Sequence, residues 1–479
     1  MQNLWVKYRN MSIQAKAAIW FAMCSILQKG ISFITVPIFT RLIPTEQYGT
    51  YNIYLSWLQI LTIITSFYLY HGVFNNGMTK FDKDRDGYIS SMQGLTLTIT
   101  AIVFCIYSIT SGFWSEVMGL APVFILLMFM EMAVTPALHF WSGRQRFESK
   151  YKRLVFITVT KSVANPILGI AMVLLSEDKA LARVTSVVIT EIVFCGFFMV
   201  RQFFQGKKFV DIHYWKYALA IAIPLIPHYL SGMILNQGDR IMIGKMIGKS
   251  EVAFYSLSYN IGMLVQIVTS AISNSFTPWM YQKIKANDFG GIKKTISSLL
   301  LLVSFVVFGL MLCGPELVLI FGPDEYANAV YVIPPVAASV FFIFLYNLLA
   351  IPQFYFEQTR FLAISSFAAA VINIILNYFF IKIFGYIAAG YTTLACYVLY
   401  SLGHYLVSKV VIKKHINGVS FFNEKAILSL SLMMIILGAI CNILYSVWYV
   451  RYTLIVILFM IILLKRDKIL IIINGIRKD

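Results

Sequence analysis

The fold is decided by the segment Phe39-Thr-Arg41-Leu-Ile43-Pro44-Thr-Glu46-Gln-Tyr48-Gly49-Thr-Tyr51, which returns in weaker form 204 residues later. The later copy reads Ile243-Gly-Lys245-Met-Ile247-Gly248-Lys-Ser-Glu-Val252-Ala253-Phe-Tyr255. Aligned without a gap, the copies share a cation, an isoleucine, a turn former, a small residue and a tyrosine. Each copy links one long apolar segment to the next. Internal symmetry of this kind in a membrane chain is typical of transporters built from two similar halves.

Composition predicts a polytopic, all-α membrane protein. The chain is 59% hydrophobic and 13% charged, with a mean hydropathy of +0.76, whereas a soluble domain carries about 25% charged residues. Apolar runs of about 20 residues, the length of a transmembrane helix, recur along the whole sequence. The short alternating strands of an outer-membrane barrel are not seen in it. No polar stretch is long enough to predict a soluble domain.

The apolar runs predict about fourteen transmembrane helices. An even number of spans in each half relates the halves by a pseudo-two-fold axis along the membrane normal, and two further helices follow at the C-terminal end. The predicted spans cover residues 17–38, 50–72, 88–111, 118–140, 154–175, 184–204, 217–238, 252–276, 295–313, 327–350, 361–381, 385–408, 426–446 and 449–464.

Three regions follow from these spans. Residues 1–205 form an N-terminal six-helix lobe, residues 206–410 form a second six-helix lobe, and residues 411–479 hold two additional helices and a cytoplasmic tail. A second internal echo supports the register between the lobes. Asn165 with Ile167 and Leu168 matches Asn373 with Ile375 and Leu376 at an offset of 208.

The net charge of +18 reflects membrane orientation and does not indicate a nucleic-acid partner. With the N-terminus inside, roughly three-quarters of the 39 Lys and Arg residues lie on the cytoplasmic side, so the positive-inside rule predicts that both termini are cytoplasmic. The basic cluster at 144–153 is expected to contact anionic lipid head groups. All six cysteines fall in apolar segments without a close pair, which predicts neither disulfides nor a metal site.

Ionisable residues far from the ends of a span are the strongest candidates for function, because an unpaired charge in hydrocarbon costs several kcal/mol. Lys29 lies in the middle of the first span, and we expect it to face a water-filled cavity, the alternative being a structural ion pair. Glu131 lies in the middle of the fourth span and is the expected acidic counterpart, the alternative being a buried protonated carboxyl.

Four further ionisable residues lie closer to the ends of spans. Lys161 and Glu191 could form a pair, but their spacing does not decide it. Asp239 and Arg240 interrupt the seventh span, which also contains two prolines. Two interpretations stay open. Either the adjacent acid and base form a pair, or Arg240 faces the cavity while Asp239 caps a helix or couples transport to an ion.

The sequence gives little support for an enzyme, and no catalytic residue is predicted. Gly244-Lys-Met-Ile-Gly-Lys-Ser250 lacks the first glycine of a phosphate-binding loop, because residue 243 is Ile. Energy for transport is therefore expected from an ion gradient, the membrane potential or the substrate's own gradient. The predicted outer loops are too short for the catalytic site of a polysaccharide polymerase or ligase.

The motif at 37–51 strongly resembles the signature of bacterial polysaccharide flippases of the Wzx type, in the multidrug/oligosaccharidyl-lipid/polysaccharide (MOP) exporter superfamily. Asp239-Arg240-Ile-Met-Ile-Gly244, Tyr255-Ser-Leu-Ser-Tyr259 and Asn373-Ile-Ile-Leu-Asn377 also resemble that family. The resemblance covers essentially the whole chain. It implies a MATE-like fold, the fold of the multidrug-efflux branch, and a protein that is not an enzyme.

The resemblance implies a function in the bacterial cytoplasmic membrane. The protein would flip undecaprenyl-diphosphate-linked oligosaccharide repeat units to the outer leaflet by alternating access, for O-antigen, capsule or exopolysaccharide assembly. Lys29, Arg41, Arg240 and Lys161 would bind the substrate, and Glu131, Glu191 or Asp239 would couple transport to H⁺ or Na⁺ without any cofactor. Implied partners are membrane lipids, a polysaccharide polymerase and a chain-length regulator. The alternatives are a drug or cation antiporter of the same superfamily, and a membrane polymerase or ligase.

Overall fold

The computed structural model describes residues 9, 11–358, 360–416 and 421–464, and within these ranges the chain is helical without any β-strand. The described residues up to Met233 form one compact unit, called unit 1, and those from Ile234 onwards form a second, called unit 2. The region boundaries predicted at residues 205–206 and 410–411 stay a prediction. The predicted cytoplasmic tail beyond residue 464 lies outside the described residues.

Unit 1 is built mainly from eight α-helices, joined by short turns. They are α1 (Ile13–Leu42), α2 (Thr45–Ser66), α3 (Phe74–Lys80), α4 (Arg85–Ile109), α5 (Ser111–Met118), α6 (Pro122–Phe147), α7 (Tyr151–Leu175) and α8 (Lys179–Gly206). The 35-residue helix α9 (Ile212–Met246) begins in unit 1 and ends in unit 2.

Unit 2 contains the remaining nine α-helices of the described residues, with a 3₁₀ segment at Asp324–Val332. The helices are α10 (Lys249–Gly262), α11 (Val265–Lys285), α12 (Phe289–Leu312), α13 (Gly314–Phe321), α14 (Ile333–Tyr355), α15 (Arg360–Phe384), α16 (Ile387–His415), α17 (Glu424–Leu444) and α18 (Trp448–Leu464).

These helices confirm a multi-span membrane protein with about fourteen spans. Eleven helical segments are long and apolar enough to cross a membrane, and a twelfth span consists of α10 and α11, which meet at a bend of 41°. The two other predicted spans correspond to α2, which has 22 residues but is more polar, and α18, which has 17 residues. Each predicted span therefore coincides with a helix or with the bent pair.

The repeated segment at residues 39–51 and 243–255 interrupts the helix at the same position in both units. In unit 1, α1 ends at Leu42 and α2 begins at Thr45; in unit 2, α9 ends at Met246 and α10 begins at Lys249. Both boundaries keep the offset of 204 residues. The second echo lies in α7 and α15, which both contain 25 residues and whose boundaries differ by 209 residues, one more than the offset of the echo. The repeat in the sequence is therefore also a repeat of helix boundaries.

The polar stretch between α8 and α9, residues 207–211, packs tightly against the rest of unit 1. Lys208 forms ion pairs with Asp84 and Asp211 at 2.7 and 3.4 Å, and its backbone oxygen accepts a hydrogen bond from Ser90. Gly94 in α4 lies so close to this stretch that a Cβ atom there would be 1.9 Å from the carbonyl oxygen of Phe209. Only glycine permits this approach without displacement of the backbone.

Helix α14 is the centre of unit 2. It is mostly apolar, and 19 of its 23 residues are buried, as expected for a helix surrounded by other helices. Small residues bring its neighbours close: a Cβ atom on Gly438 of α17 would lie 3.2 Å from the Cβ of Ala338. Such close approaches replace the hydrophobic effect as the main source of helix association in lipid.

Within unit 2, the last helix, α18, is joined to α13 by an ion pair whose arginine is buried. Arg451 in α18 is 4% exposed and donates to both carboxylate oxygens of Glu316 in α13, at 2.8 and 2.6 Å, and to the Leu312 carbonyl at 3.1 Å. The Tyr452 hydroxyl donates to the same carboxylate at 2.7 Å. Burial by itself raises the pKa of Glu316, but the hydrogen bonds from Tyr452 and Arg451 outweigh it and lower the pKa below its ordinary value of 4.5.

We predict that Arg451→Gln lowers the free energy of unfolding by about 1–3 kcal/mol at pH 7, because hydrogen bonds to a charged partner are lost. A carboxylate with a lowered pKa stabilises the fold above its ordinary pKa and loses that contribution as the pH falls through the lowered value. The difference from wild type should therefore shrink below about pH 4. Thermal unfolding in detergent at several pH values measures both effects.

Lys413→Gln is the control for this prediction, because Lys413 is exposed and has no ion-pair partner in the part of the chain that the structure describes. An Arg451→Gln protein as stable as this control at pH 7 would contradict the role given to the ion pair.

Candidate functional site: buried charges in the two units

Glu131 is buried in the middle of α6 and is bound by a tyrosine. The Tyr54 hydroxyl in α2 donates to Glu131 Oε2 at 2.7 Å, and Glu131 is 7% exposed. Its carboxyl group is also within electrostatic range of Glu191, Lys161 and Arg183. The isolated acid expected from the sequence is therefore part of a cluster contributed by four helices of unit 1.

Lys161 and Glu191 form the second part of this cluster. Lys161 Nζ lies 2.7 Å from both carboxylate oxygens of Glu191, and the pair joins α7 to α8. The Cys195 thiol, one turn further along α8, donates to the same carboxylate at 2.9 Å. The pairing that the sequence left open is present. The assignment of Lys161 to the substrate and of Glu191 to a coupling ion stays a prediction.

Arg183 is a third buried charge of unit 1, and the sequence analysis missed it. It is 7% exposed, donates to Asn165 Oδ1 at 2.8 Å and to Ser186 Oγ at 3.1 Å, and its guanidinium lies over the Phe39 ring at 4.3 Å. The predicted sixth span began at residue 184, which assigned Arg183 to a loop. The sequence did hold one indication of this contact, because Asn165, which accepts the hydrogen bond from Arg183, is part of the second echo.

Asp239 is the centre of a polar network in unit 2. It is 0% exposed and accepts three hydrogen bonds, from Tyr255 at 2.5 Å, from Asn377 Nδ2 at 2.6 Å and from Thr393 at 2.8 Å. These donors lie on α10, α15 and α16, while Asp239 lies on α9. The Asn377 amide can only donate, whereas the two hydroxyls can also accept, so these partners suit an ionised carboxylate as well as one that carries a proton.

Two more side chains extend the network around Asp239. Asn377 donates to Asn373 Oδ1 at 3.0 Å, and its own Oδ1 accepts a hydrogen bond from the Thr392 hydroxyl. Asn373 Nδ2 is buried without a hydrogen-bond partner among the described residues. The site therefore offers several neutral oxygens close to one carboxylate, without a salt bridge to Asp239 in the described parts of the chain.

Arg240 points away from its neighbour Asp239 and is held separately. It is 5% exposed, donates to Ser256 Oγ at 3.1 Å and to the Asn236 carbonyl at 2.9 Å, and lies over the Tyr259 ring at 4.4 Å. The direct acid–base pair considered for residues 239 and 240 does not form, because each side chain binds its own set of partners. A role for Arg240 in binding substrate stays a prediction.

The other two predicted substrate-binding cations lie on α1 and do not join these clusters. Lys29 is exposed, and within the described residues it forms neither a hydrogen bond nor an ion pair. Arg41 is also exposed and donates to the Pro37 carbonyl at 3.0 Å. This hydrogen bond satisfies a backbone carbonyl near the C-terminal end of α1, where a positive charge is favourable. Their assignment to the substrate stays a prediction.

The predicted head-group cluster lines a basic cavity of about 610 Å³ in unit 1. Three of its exposed cations, Lys152, Arg153 and Arg201, have no ion-pair partner in the described ranges. Burial acts to raise the pKa of Glu148 at the same cavity, but hydrogen bonds from Lys150 and Arg144 outweigh it and lower the pKa below 4.5.

Many apolar spans with charges buried in both compact units are typical of a membrane transporter. The chain belongs to the polysaccharide biosynthesis protein family, whose family model matches residues 15–283. The MatE family model matches residues 224–379 as well. These matches confirm the resemblance predicted from the motif at 37–51.

Known proteins with similar sequences and folds agree with this membership. An Lsg locus protein of Haemophilus influenzae is 22% identical over 56% of this chain and 66% of its own length. A Haloferax volcanii protein named "Probable low-salt glycan biosynthesis flippase Agl15" is 21% identical over 83% of this chain and 84% of its own. Among solved structures, the lipid II flippase MurJ in an inward closed conformation shares the fold, with a TM-score of 0.70, 14% identity, and coverage of 94% and 100%.

We predict that Lys161→Met lowers the free energy of unfolding by about 2–4 kcal/mol, because it leaves the Glu191 carboxylate buried without its cation. The double variant Lys161→Met/Glu191→Met should recover most of that loss, since no charge is then stranded. Titration with a denaturing detergent, followed by circular dichroism, measures the four members of this cycle.

Lys152→Met is the matched control on the same helix and should change stability by no more than about 0.5 kcal/mol. Strict additivity of the two single substitutions would show that the residues do not interact energetically, contrary to the geometry.

Proposed function

We propose that this protein is a flippase that moves undecaprenyl-diphosphate-linked oligosaccharide repeat units from the cytoplasmic to the outer leaflet. The observation that carries the proposal is the match of the polysaccharide biosynthesis family to more than half of the chain. The MurJ-like fold and the relative named as a glycan biosynthesis flippase support it. Alternating access would move the sugar head group while the polyprenyl tail stays in lipid.

The diphosphate of such a substrate requires cations in the membrane. Lys29 is our leading candidate, because it is an exposed and unpaired lysine within an apolar helix, and such a charge needs water or an anion. Arg41 lies three turns further along the same helix. Lys161 and Arg240, which bind protein groups in this structure, complete the proposed set.

Ion coupling would use the buried carboxylates. Asp239 is the strongest candidate, because a fully buried acid with three donors and no salt bridge in the described residues would be balanced by a bound H⁺ or Na⁺. Glu131 and Glu191 are the corresponding candidates in unit 1. Neither ion requires a further cofactor.

The proposed location is the bacterial cytoplasmic membrane with both termini in the cytoplasm. There the product would pass to a polysaccharide polymerase and a chain-length regulator, which are the proposed partners besides membrane lipids.

Deletion of the gene tests the proposal directly. We expect surface polysaccharide to disappear and lipid-linked repeat units to accumulate facing the cytoplasm, provided that no second flippase is present. Complementation with Lys29→Ala should restore export poorly at normal protein levels, and Lys29→Arg should restore more, because it keeps the charge.

Two outcomes would contradict these expectations. Unpolymerised units that accumulate facing outward would favour a polymerase or ligase. Full export by Lys29→Ala would remove Lys29 from the proposed binding set.

The coupling role of Asp239 predicts a second, separate result. In proteoliposomes, a Na⁺ or a pH gradient should accelerate flipping by the wild type, and Asp239→Asn should lose this stimulation while still flipping passively. The exposed Asp324→Asn is the control. An Asp239→Asn protein that responds to both gradients as the wild type does would refute the role.

A drug or cation antiporter is the second candidate, because the MatE family model matches residues 224–379. The exposed and unpaired Lys29 disfavours cationic substrates. An efflux assay with cationic dyes in the deletion strain separates the two functions.

A further inference from the structure

One face of α11 carries a continuous stripe of uncharged polar side chains. Its members recur every three or four residues, the spacing that places them on one side of a helix. They are Gln266, Ser270, Ser273, Asn274, Thr277 and Tyr281. From Gln266 to Tyr281 the stripe runs about 22 Å along the helix axis. A stripe of this kind is unexpected in a segment that the sequence predicts to be in the membrane down to residue 276.

The stripe lines a cavity of about 320 Å³ that lies entirely within unit 2. Helix α14 forms the opposite wall, where Asn347 is the polar residue among apolar ones and Phe354 is 52% exposed. None of the described residues that line this cavity carries a charged side chain. A volume of this size is at the lower end of the range for ligand pockets.

Most of these polar groups lack a partner in the protein. Within the described residues, the side chains of Gln266, Ser270, Ser273, Asn274 and Asn347 make no hydrogen bond. Each amide offers two donors and an acceptor oxygen, and each hydroxyl offers both functions. In a membrane, groups of this kind are costly unless water or a ligand binds them.

The chemistry of the cavity matches a neutral carbohydrate. A sugar presents many hydroxyl groups, each of which can donate and accept, and it carries apolar ring faces. Tyr281 and Phe354 supply aromatic surface for such faces. The ring of Tyr281 is itself fixed by an edge contact with Tyr355 at 5.1 Å. A diphosphate, in contrast, would find no cation here.

We propose that this cavity binds uncharged sugar residues of the head group, as a subsite distinct from the cations that would hold the diphosphate. The proposal rests on the flippase function proposed above and assigns the sugar contacts to α11 and α14. It also implies that neutral sugars are accepted at this position in preference to acidic ones.

The test uses two probes with the purified, full-length protein in lipid nanodiscs. The first is the lipid-linked oligosaccharide extracted from the deletion strain, and the second is undecaprenyl diphosphate without sugar. Asn274→Leu/Asn347→Leu should weaken binding of the first probe about 10- to 100-fold, which corresponds to the loss of one or two hydrogen bonds. Binding of the sugar-free probe should stay within twofold of wild type.

Ser270→Ala/Ser273→Ala provides a milder variant that preserves helix propensity, and it should weaken binding of the first probe about 3- to 10-fold. Ser275→Ala is the matched control, since Ser275 is exposed on another face of α11 and donates to the Ala271 carbonyl. It should bind both probes as the wild type does.

The outcomes separate this proposal from the function on which it rests. If the wild type binds neither probe, the flippase proposal fails and the sugar subsite fails with it. If the wild type binds both probes and the stripe variants bind the sugar-bearing one equally well, only the subsite is overturned. Equal weakening for both probes also overturns it, because the effect would then not concern the sugar.

Discussion

Asp239 is fully buried, and it ties three other helices of unit 2 to α9 through a tyrosine, an asparagine and a threonine. In a membrane the alternative to such bonds is an unsatisfied charge in hydrocarbon, so each donor restricts the position and rotation of its helix. The same constraint organises unit 1, where Glu131 binds Tyr54 and Lys161 binds Glu191. The polar residues therefore fix how each unit packs, and apolar side chains fill the space that remains.

The two units share a scaffold but not their charges. Tyr51 and Tyr255 are equivalent in the repeat, and each ring lies near a buried arginine, at 5.4 Å from Arg183 and 5.8 Å from Arg240. The arginines come from non-equivalent helices, α8 and α9. Duplication thus preserved the helix boundaries and an aromatic contact, while the ionisable groups diverged. The proposed binding of a diphosphate, a sugar and an ion would require such asymmetry, because identical halves would offer identical sites.

Local patterns in the sequence predicted the helices but not the contacts among them. Each of the fourteen predicted spans coincides with a helix or with the bent pair α10 and α11, because a membrane imposes the length and the hydrophobicity of a helix on every segment separately. The bend between α10 and α11 was not predicted, because an apolar run continues through it. Tyr255 is 16 residues from Asp239, but the other partners of Glu131 and Asp239 lie 77 to 154 residues away in the chain, and no periodicity encodes such distances. Arg183 was missed by one residue at a predicted span boundary, and the stripe on α11 was hidden because a mean hydropathy averages one polar face of a helix with its apolar faces.

The contact between Gly94 and Phe209 also has a consequence for how the chain is made. Helix α4 is synthesised more than 100 residues before the backbone that packs against it. The surface of α4 around Gly94 consequently lacks its contact with Phe209 while α5 to α8 are synthesised. The polar stretch that divides the halves in sequence is thus among the last parts of unit 1 to take its place, and a ribosome pausing before residue 209 would leave the first half inserted but unfinished.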